Sequence, residues 1–209
     1  MMKIAAALLL AGVSVSAQAL EVRPLVATFP MGHKSSTLTV YNTDSVEKTY
    51  QVFVDKLTLA DGKQVRTATK EIRFAPSVMT IKPKSAQTVR YVRSGETDSN
   101  EVVYRLRVEE IPSEIKPTQS GVVYAMRMDF PWTWRANGAE PKLSLRWKDD
   151  GVEVQNSGTA TAQIANFSIA KGLLGYVLPG ETAHFKVKVP KASKVSVLVN
   201  GKQVDLDVK

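Results

Sequence analysis

Beyond its first nineteen residues this chain is dominated by segments in which apolar side chains fall at every second position, and no segment sustains an apolar 3.6-residue period. A chain so patterned can bury one face of each extended segment and leave the other in water, which commits it to packed β-sheets. Ser36–Tyr41, Tyr50–Val54, Thr88–Arg93, Val102–Val108 and Val122–Phe130 all show the alternation, with Gly, Pro, Asn and Asp between them. After a break of linker composition at Arg135–Pro141 the pattern resumes in Leu143–Trp147, Val152–Val154, Ala162–Ile169 and Phe185–Val189. Val195–Val199 and Gln203–Val208 close the chain around Asn200-Gly201, a pair that supplies the positive φ values of a type I′ hairpin turn.

The fold class expected is therefore all-β: two immunoglobulin-like β-sandwich domains after a cleaved signal peptide. Residues 1–19 carry the leader, with Lys3, an apolar run from Ile4 to Val15 and the small-x-small site Ala17-Gln18-Ala19. Residues 20–135 would form the N-terminal domain, 136–141 the linker and 142–209 a small C-terminal sandwich. That last piece is short for an independent core, so it is expected to lean on the first.

Composition narrows function. The chain has no cysteine, which removes disulfide frameworks, cysteine-ligated metals and thiol nucleophiles. His33 and His184 are the only imidazoles and are far apart in sequence. Nothing in the spacing calls for a metal or a cofactor, no Gly-rich phosphate loop is present, and no Ser–His–Asp motif stands out, so an enzyme is not expected. The net charge of +8 becomes +7 once Lys3 leaves with the leader. The basic residues are dispersed and alternate with apolar ones, as on solvated strand faces, so neither nucleic acid nor membrane insertion is expected.

Several segments carry a family resemblance. Phe74–Arg90 contains a proline, then the apolar-x-Pro-x-x-small turn Ile81–Ala86, then a strand with Val89-Arg90. Tyr104-Arg105-Leu106-Arg107-Val108-Glu109-Glu110-Ile111-Pro112 and Gln119–Pro131 follow in order, and Gln155–Gly158 and Gly175–Gly180 fall at turns of the second half. Together they resemble the periplasmic chaperones of the chaperone–usher pilus pathway, over essentially all of residues 20–209. Arg127-Met128-Asp129-Phe130-Pro131 is nearer the archaic branch, and the short stretch Ser113–Gln119 fits the short-loop type.

The resemblance implies a mechanism. A pilin is a sandwich lacking its last strand, and the chaperone lends it the seventh strand, backbone bonds giving affinity and alternate side chains filling the groove. The client-binding candidates are Val122, Tyr124, Met126 and Met128, worth roughly 1.5–3 kcal/mol each when fully buried. Alternation alone leaves open whether this face, which continues to Phe130, fills a client or the domain's own core. The resemblance favours the client for Val122, Tyr124 and Met126, while Met128 and Phe130 lie nearer the domain junction. The family's best-known members hold the pilin's terminal carboxylate with an arginine on the first strand and a lysine on the seventh. Val26 and Pro131 stand at the matching points here. Arg105 is the candidate anchor, with Arg107 and Arg90 in reserve, because a guanidinium can grip a carboxylate through two parallel bonds. The alternative for Arg105 is a cross-strand ion pair.

The expected partners are pilin subunits and an outer-membrane usher, with self-association through the donor strand a further possibility, and the expected location is the periplasm. Two other readings stand beside this one. A structural pilin or adhesin subunit would need an N-terminal donor extension, whereas Leu20–Leu25 leads straight into a strand. A sugar-binding module would use Trp132, Trp134 and Trp147, although these flank the linker and are expected to pack between domains. Asp149-Asp150-Gly151 reads as a turn, and Asn166-Phe167-Ser168, a glycosylation sequon, as part of a strand.

Overall fold

The computed structural model describes residues 20–97, 99–112 and 124–209. The expected leader, the stretch from Ser113 to Gln119 and the donor candidate Val122 lie outside these. Every regular element among the described residues is a strand. The first half contains β1 (Leu20–Arg23), β2 (Ala27–Pro30), β3 (Ser35–Asn42), β4 (Lys48–Ala60), β5 (Lys63–Ala68), β6 (Ile72–Ala75), β7 (Val78–Ile81), β8 (Ser85–Arg93), β9 (Glu101–Ile111) and β10 (Arg127–Arg135). The second half adds β11 (Leu143–Lys148), β12 (Gly151–Asn156), β13 (Ala162–Ala165), β14 (Leu173–Val177), β15 (Thr182–Lys186), β16 (Lys194–Val199) and β17 (Lys202–Asp207).

The first ten strands form two sheets, β1-β3-β8-β6 and β2-β10-β9-β4-β5, with β7 also paired to β4. The other seven form β11-β12-β15 and β14-β13-β16-β17. Each pair of sheets encloses one apolar core, giving two immunoglobulin-like sandwiches. In the first, Leu38, Val40, Val89 and Tyr91 from one sheet meet Tyr50, Tyr104, Leu106 and Val108 from the other, all essentially without exposure. These are the alternating positions of β3, β8, β4 and β9, so the period of two seen in the sequence is the period of burial.

Each sandwich closes a strand end with a buried asparagine. The amide of Asn42 donates to the carbonyls of Val46 and Ile81 at 2.8 and 2.9 Å, and its oxygen accepts from Asp44 N–H at 3.0 Å. Asn156 does the same in the second sandwich, donating to Ala160 and Val177 and accepting from Lys142 and Gly158. Both side chains are thus satisfied in surroundings where an unpaired amide would cost about 1–3 kcal/mol.

Two sequence expectations are corrected. Trp132 and Trp134 do not pack between domains. They lie on the inward face of β10, fully buried in the first core among Phe29, Tyr91 and Tyr104, which leaves no indole platform for a sugar there. Trp147 packs edge-on against Phe167 in the second core. Asn166-Phe167-Ser168 is not strand: Asn166 and Ser168 adopt positive φ, and the chain turns there so that Phe167 enters the core. The turns at Asp61-Gly62 and Asn200-Gly201 have positive φ at both residues, as I′ hairpins require.

Candidate functional site: the open edge of strand β10

β10 runs antiparallel to β9 over its whole length, from Arg127 opposite Glu109 to Arg135 opposite Glu101. Its other neighbour, β2, runs parallel to it and begins only at Trp132, opposite Ala27. Among the described residues, Arg127–Pro131 therefore has no strand on its second edge. The bond from Glu110 N–H to the Met126 carbonyl fixes which groups face which side, as does Met31 N–H donating to the Arg135 carbonyl. Even-numbered residues of β10 bond to β9, while Arg127, Asp129 and Pro131 direct their backbone groups outward. Proline, which has no N–H, sits at an outward position where it deprives β9 of nothing.

The side chains divide accordingly. Phe130, Trp132 and Trp134 are buried, and Met126 and Met128 are half-buried against the same core. Tyr124, just before the paired stretch, is 80% exposed. Of the described client-binding candidates, Tyr124 alone stands clear of the domain's own core, whereas Met126 and Met128 contribute to it. Beside the open edge, Leu25 and Val26 are also exposed.

The opposite face of this sheet is ionic. Arg105 grips Asp129 through Nη2 at 2.5 Å and Nε at 2.7 Å, and Arg66 from β5 reaches the other carboxylate oxygen at 2.5 Å. Arg127 stands 3.8 Å away. Burial pushes the Asp129 carboxyl up, but the Arg66 hydrogen bond and the Arg105 charge outweigh it and hold the group below its ordinary range. Arg107 lies over the Phe53 ring and is paired with Glu109 at 2.8 Å and with Asp55 at 3.6 Å. Arg90 is exposed on β8, in the other sheet. Arg105 and Arg107 are thus both engaged in ion pairs, the arrangement named as the alternative to anchoring. Arg66 and Asp129 did not emerge from the sequence, because only the register of β5, β4, β9 and β10 brings them together.

The second sandwich approaches beside this ionic face. Leu178 packs on Leu57 and Val103, with Leu59 alongside. Gln64 donates to Glu181 at 2.9 Å and to the Tyr176 carbonyl at 3.1 Å. Glu101 holds Arg135 at 2.6 Å and accepts from Thr161 N–H at 2.7 Å. A cavity of about 90 Å³ remains in this cleft, lined by Arg66, Arg105 and Pro131 from one side and Thr161, Tyr176 and Leu178 from the other.

A family model described as the pili and flagellar-assembly chaperone, PapD N-terminal domain, matches residues 19–139. The chain belongs to this chaperone family. Among curated proteins the chaperone is similar to the uncharacterized fimbrial chaperone YcbF of Escherichia coli (strain K12), 27% identical over 139 residues. The match covers 61% of this chain and 58% of YcbF, so it spans a little over half of that relative's length. Among solved structures it resembles the CsuC–CsuE chaperone–tip adhesion subunit pre-assembly complex from the archaic chaperone–usher Csu pili of Acinetobacter baumannii. There the TM-score is 0.70 at 21% identity, over 91% of this chain and 98% of the other. The SafA pilin–SafB chaperone complex of Salmonella enterica gives 0.69 at 13%, over 90% and 95%. The Escherichia coli chaperone DraB gives 0.66 at 14%, over 91% and 96%. At these identities the likeness is one of fold.

Proposed function

We propose that the protein is a periplasmic chaperone of the archaic, short-loop type that lends a pilin subunit the open edge of β10 together with the segment leading into it, and passes the subunit to an outer-membrane usher. The observation that carries this reading is the unpaired run Arg127–Pro131 continuing from the exposed Tyr124. Such an edge exposes a row of unpaired donors and acceptors, a ready template for a strand of another chain. The solved complexes of similar fold, described as a chaperone with a tip adhesion subunit and with a pilin, support it. The client's own sandwich would close on the borrowed strand, and exchange for a better-fitting strand would release it without nucleotide. The same edge could pair two copies of the chaperone when no client is present.

Arg105 with Arg66 remains the anchor for the client's terminal carboxylate, since both line the cleft at the end of the open edge. In the free protein Asp129 holds them, so a client would share or displace that carboxylate. Arg105→Ala should lower pilin capture more than Arg107→Ala at equal melting temperature. Equal losses would remove the anchor role.

Tyr124→Asp tests the whole reading. The residue is exposed in the free protein, so the variant should melt as the wild type does while placing a charge in the client's apolar groove. Co-purification of a pilin from periplasmic extract should then fall by about tenfold or more. Unchanged capture by Tyr124→Asp would overturn strand donation through this segment.

A further inference from the structure

The outer edge of β10 changes character at one residue. From Trp132 onward β2 runs parallel to it, with Ala27 opposite Trp132, and before Pro131 the edge is open among the described residues. In a parallel ladder each outward residue bonds two residues of its neighbour, through its N–H to one and through its carbonyl to the next but one. The Met31 N–H on the Arg135 carbonyl is this step at the far end. The same register places the Thr133 N–H on the Ala27 carbonyl and the Ala27 N–H on the Pro131 carbonyl. The next bond in the series would run from an N–H of residue 131 to the Leu25 carbonyl. Proline has no such hydrogen, and β2 goes no further than Ala27. Pro131 is buried, stands opposite Arg105 of β9, and lines the cleft with Arg66 and Leu178.

We infer that Pro131 is a positioning residue that divides this edge between two strands, β2 on one side and the client's strand on the other, by leaving no amide hydrogen in the gap between their ends. The inference rests on the proposed strand donation. The Pro131 carbonyl belongs to β2 and its nitrogen offers nothing, so the outward backbone groups of β10 left to a client are those of Arg127 and Asp129. A client strand bonded to them meets the exposed Leu25 and Val26, where the chain enters β2. It must end or turn away there, beside Arg105. Two strands lying end to end along one edge leave a residue of β10 between them. With any residue but proline in that place, the N–H would be shut in as the client covers the edge, and a buried donor without an acceptor is costly. Proline removes the donor itself.

The probe is the pilin that the wild type retains from periplasmic extract, identified by mass spectrometry and then co-expressed with each variant. Pro131→Val and Pro131→Ala both restore the N–H, but only valine keeps the bulk of the side chain in the cleft. In the free Val variant, water at the open edge can serve the new N–H. Its amide hydrogen should therefore exchange fast while that of Thr133 exchanges slowly, and the melting temperature should match the wild type. In the complex the N–H has no partner, so both variants should retain about fivefold less pilin or worse. Full or increased retention in Pro131→Val would overturn the inference, because a donor at residue 131 would then be tolerated or used. A loss confined to Pro131→Ala falls under that outcome and would assign Pro131 to packing of the cleft. A slow residue-131 amide in the free Val variant would also overturn it, since β2 would then have extended to Leu25. Tyr124→Asp, measured in parallel, separates the two levels of the argument. If it captures normally, strand donation fails and the dividing role falls with it. If it loses capture while Pro131→Val retains pilin fully, the dividing role alone fails.

Discussion

Asp129 shows how a single carboxylate on the open-edged strand β10 can be held by three guanidiniums, from Arg66, Arg105 and Arg127. Because its folded pKa lies below the ordinary 3.8, the pairing stabilises the protein fully above that value and is lost as pH falls through the folded pKa. Wild type and Asp129→Asn should therefore differ in denaturant stability at neutral pH, and the difference should shrink on acidification below about pH 4. A constant difference down to pH 2 would show that Asp129 acts through packing instead. Arg93 is a second residue where geometry decides. It is 5% exposed, stacks over Trp134 at 5.2 Å and Tyr104 at 5.8 Å, and donates to the carbonyls of Met31 and Glu96 at 3.2 and 2.6 Å. An ammonium cannot reproduce that planar fork, so Arg93→Lys should cost about 1–3 kcal/mol in urea unfolding. A loss within error of zero would show that the two carbonyls find other donors.

At the scale of the element, β10 has two edges with different fates. The Met128, Phe130 and Trp132 amides point to β9 and should exchange slowly with solvent deuterium in the free chaperone. The Arg127 and Asp129 amides point to the open edge and should exchange fast. Addition of pilin should slow the second set selectively. Uniform protection before pilin is added would mean that the edge is already paired, as in a self-associated form. Sequence pattern located this strand but not its extent. Val122–Phe130 alternates well, yet the strand runs from Arg127 to Arg135, because β9 and β2 continue to pair beyond Pro131. Likewise Phe185–Val189 reads as a strand, while β15 spans Thr182–Lys186, set by the partner residues Gly151–Gln155 of β12. Alternation tells which face a residue takes and leaves the ends of a strand to its neighbours.

In the whole molecule the two sandwiches meet through a small apolar contact and a ring of polar bonds. Leu178 buries against Leu57 and Val103, and Gln64, Glu101 and Arg135 bond across the junction to Glu181 and Thr161. Leu178→Asp would place a carboxylate in that contact. Calorimetry should then resolve two unfolding transitions where the wild type shows more nearly one. One sharp transition in the variant would show that the polar bonds alone couple the sandwiches. The cleft between them contains both Arg66 and Arg105, so loosening the junction should also weaken any hold on a client carboxylate.

Legible in the sequence alone was much of what depends on neighbours along the chain, the local turn at Asn166–Ser168 excepted. The period of two assigned inward and outward faces in β3, β8 and β9, and Asn200-Gly201 announced its turn through the positive φ both residues adopt. Which strands lie side by side was settled by tertiary packing. That choice made Trp132 and Trp134 core residues, occupied Arg105 with Asp129, and brought Glu110 of β9 to Lys48 and Met126. Among the described residues it also left one stretch of β10 without a strand on its second edge. The physical reason is that side-chain direction is fixed by local backbone geometry, whereas pairing depends on bonds between residues far apart in sequence. The same alternating pattern satisfies many such pairings equally well.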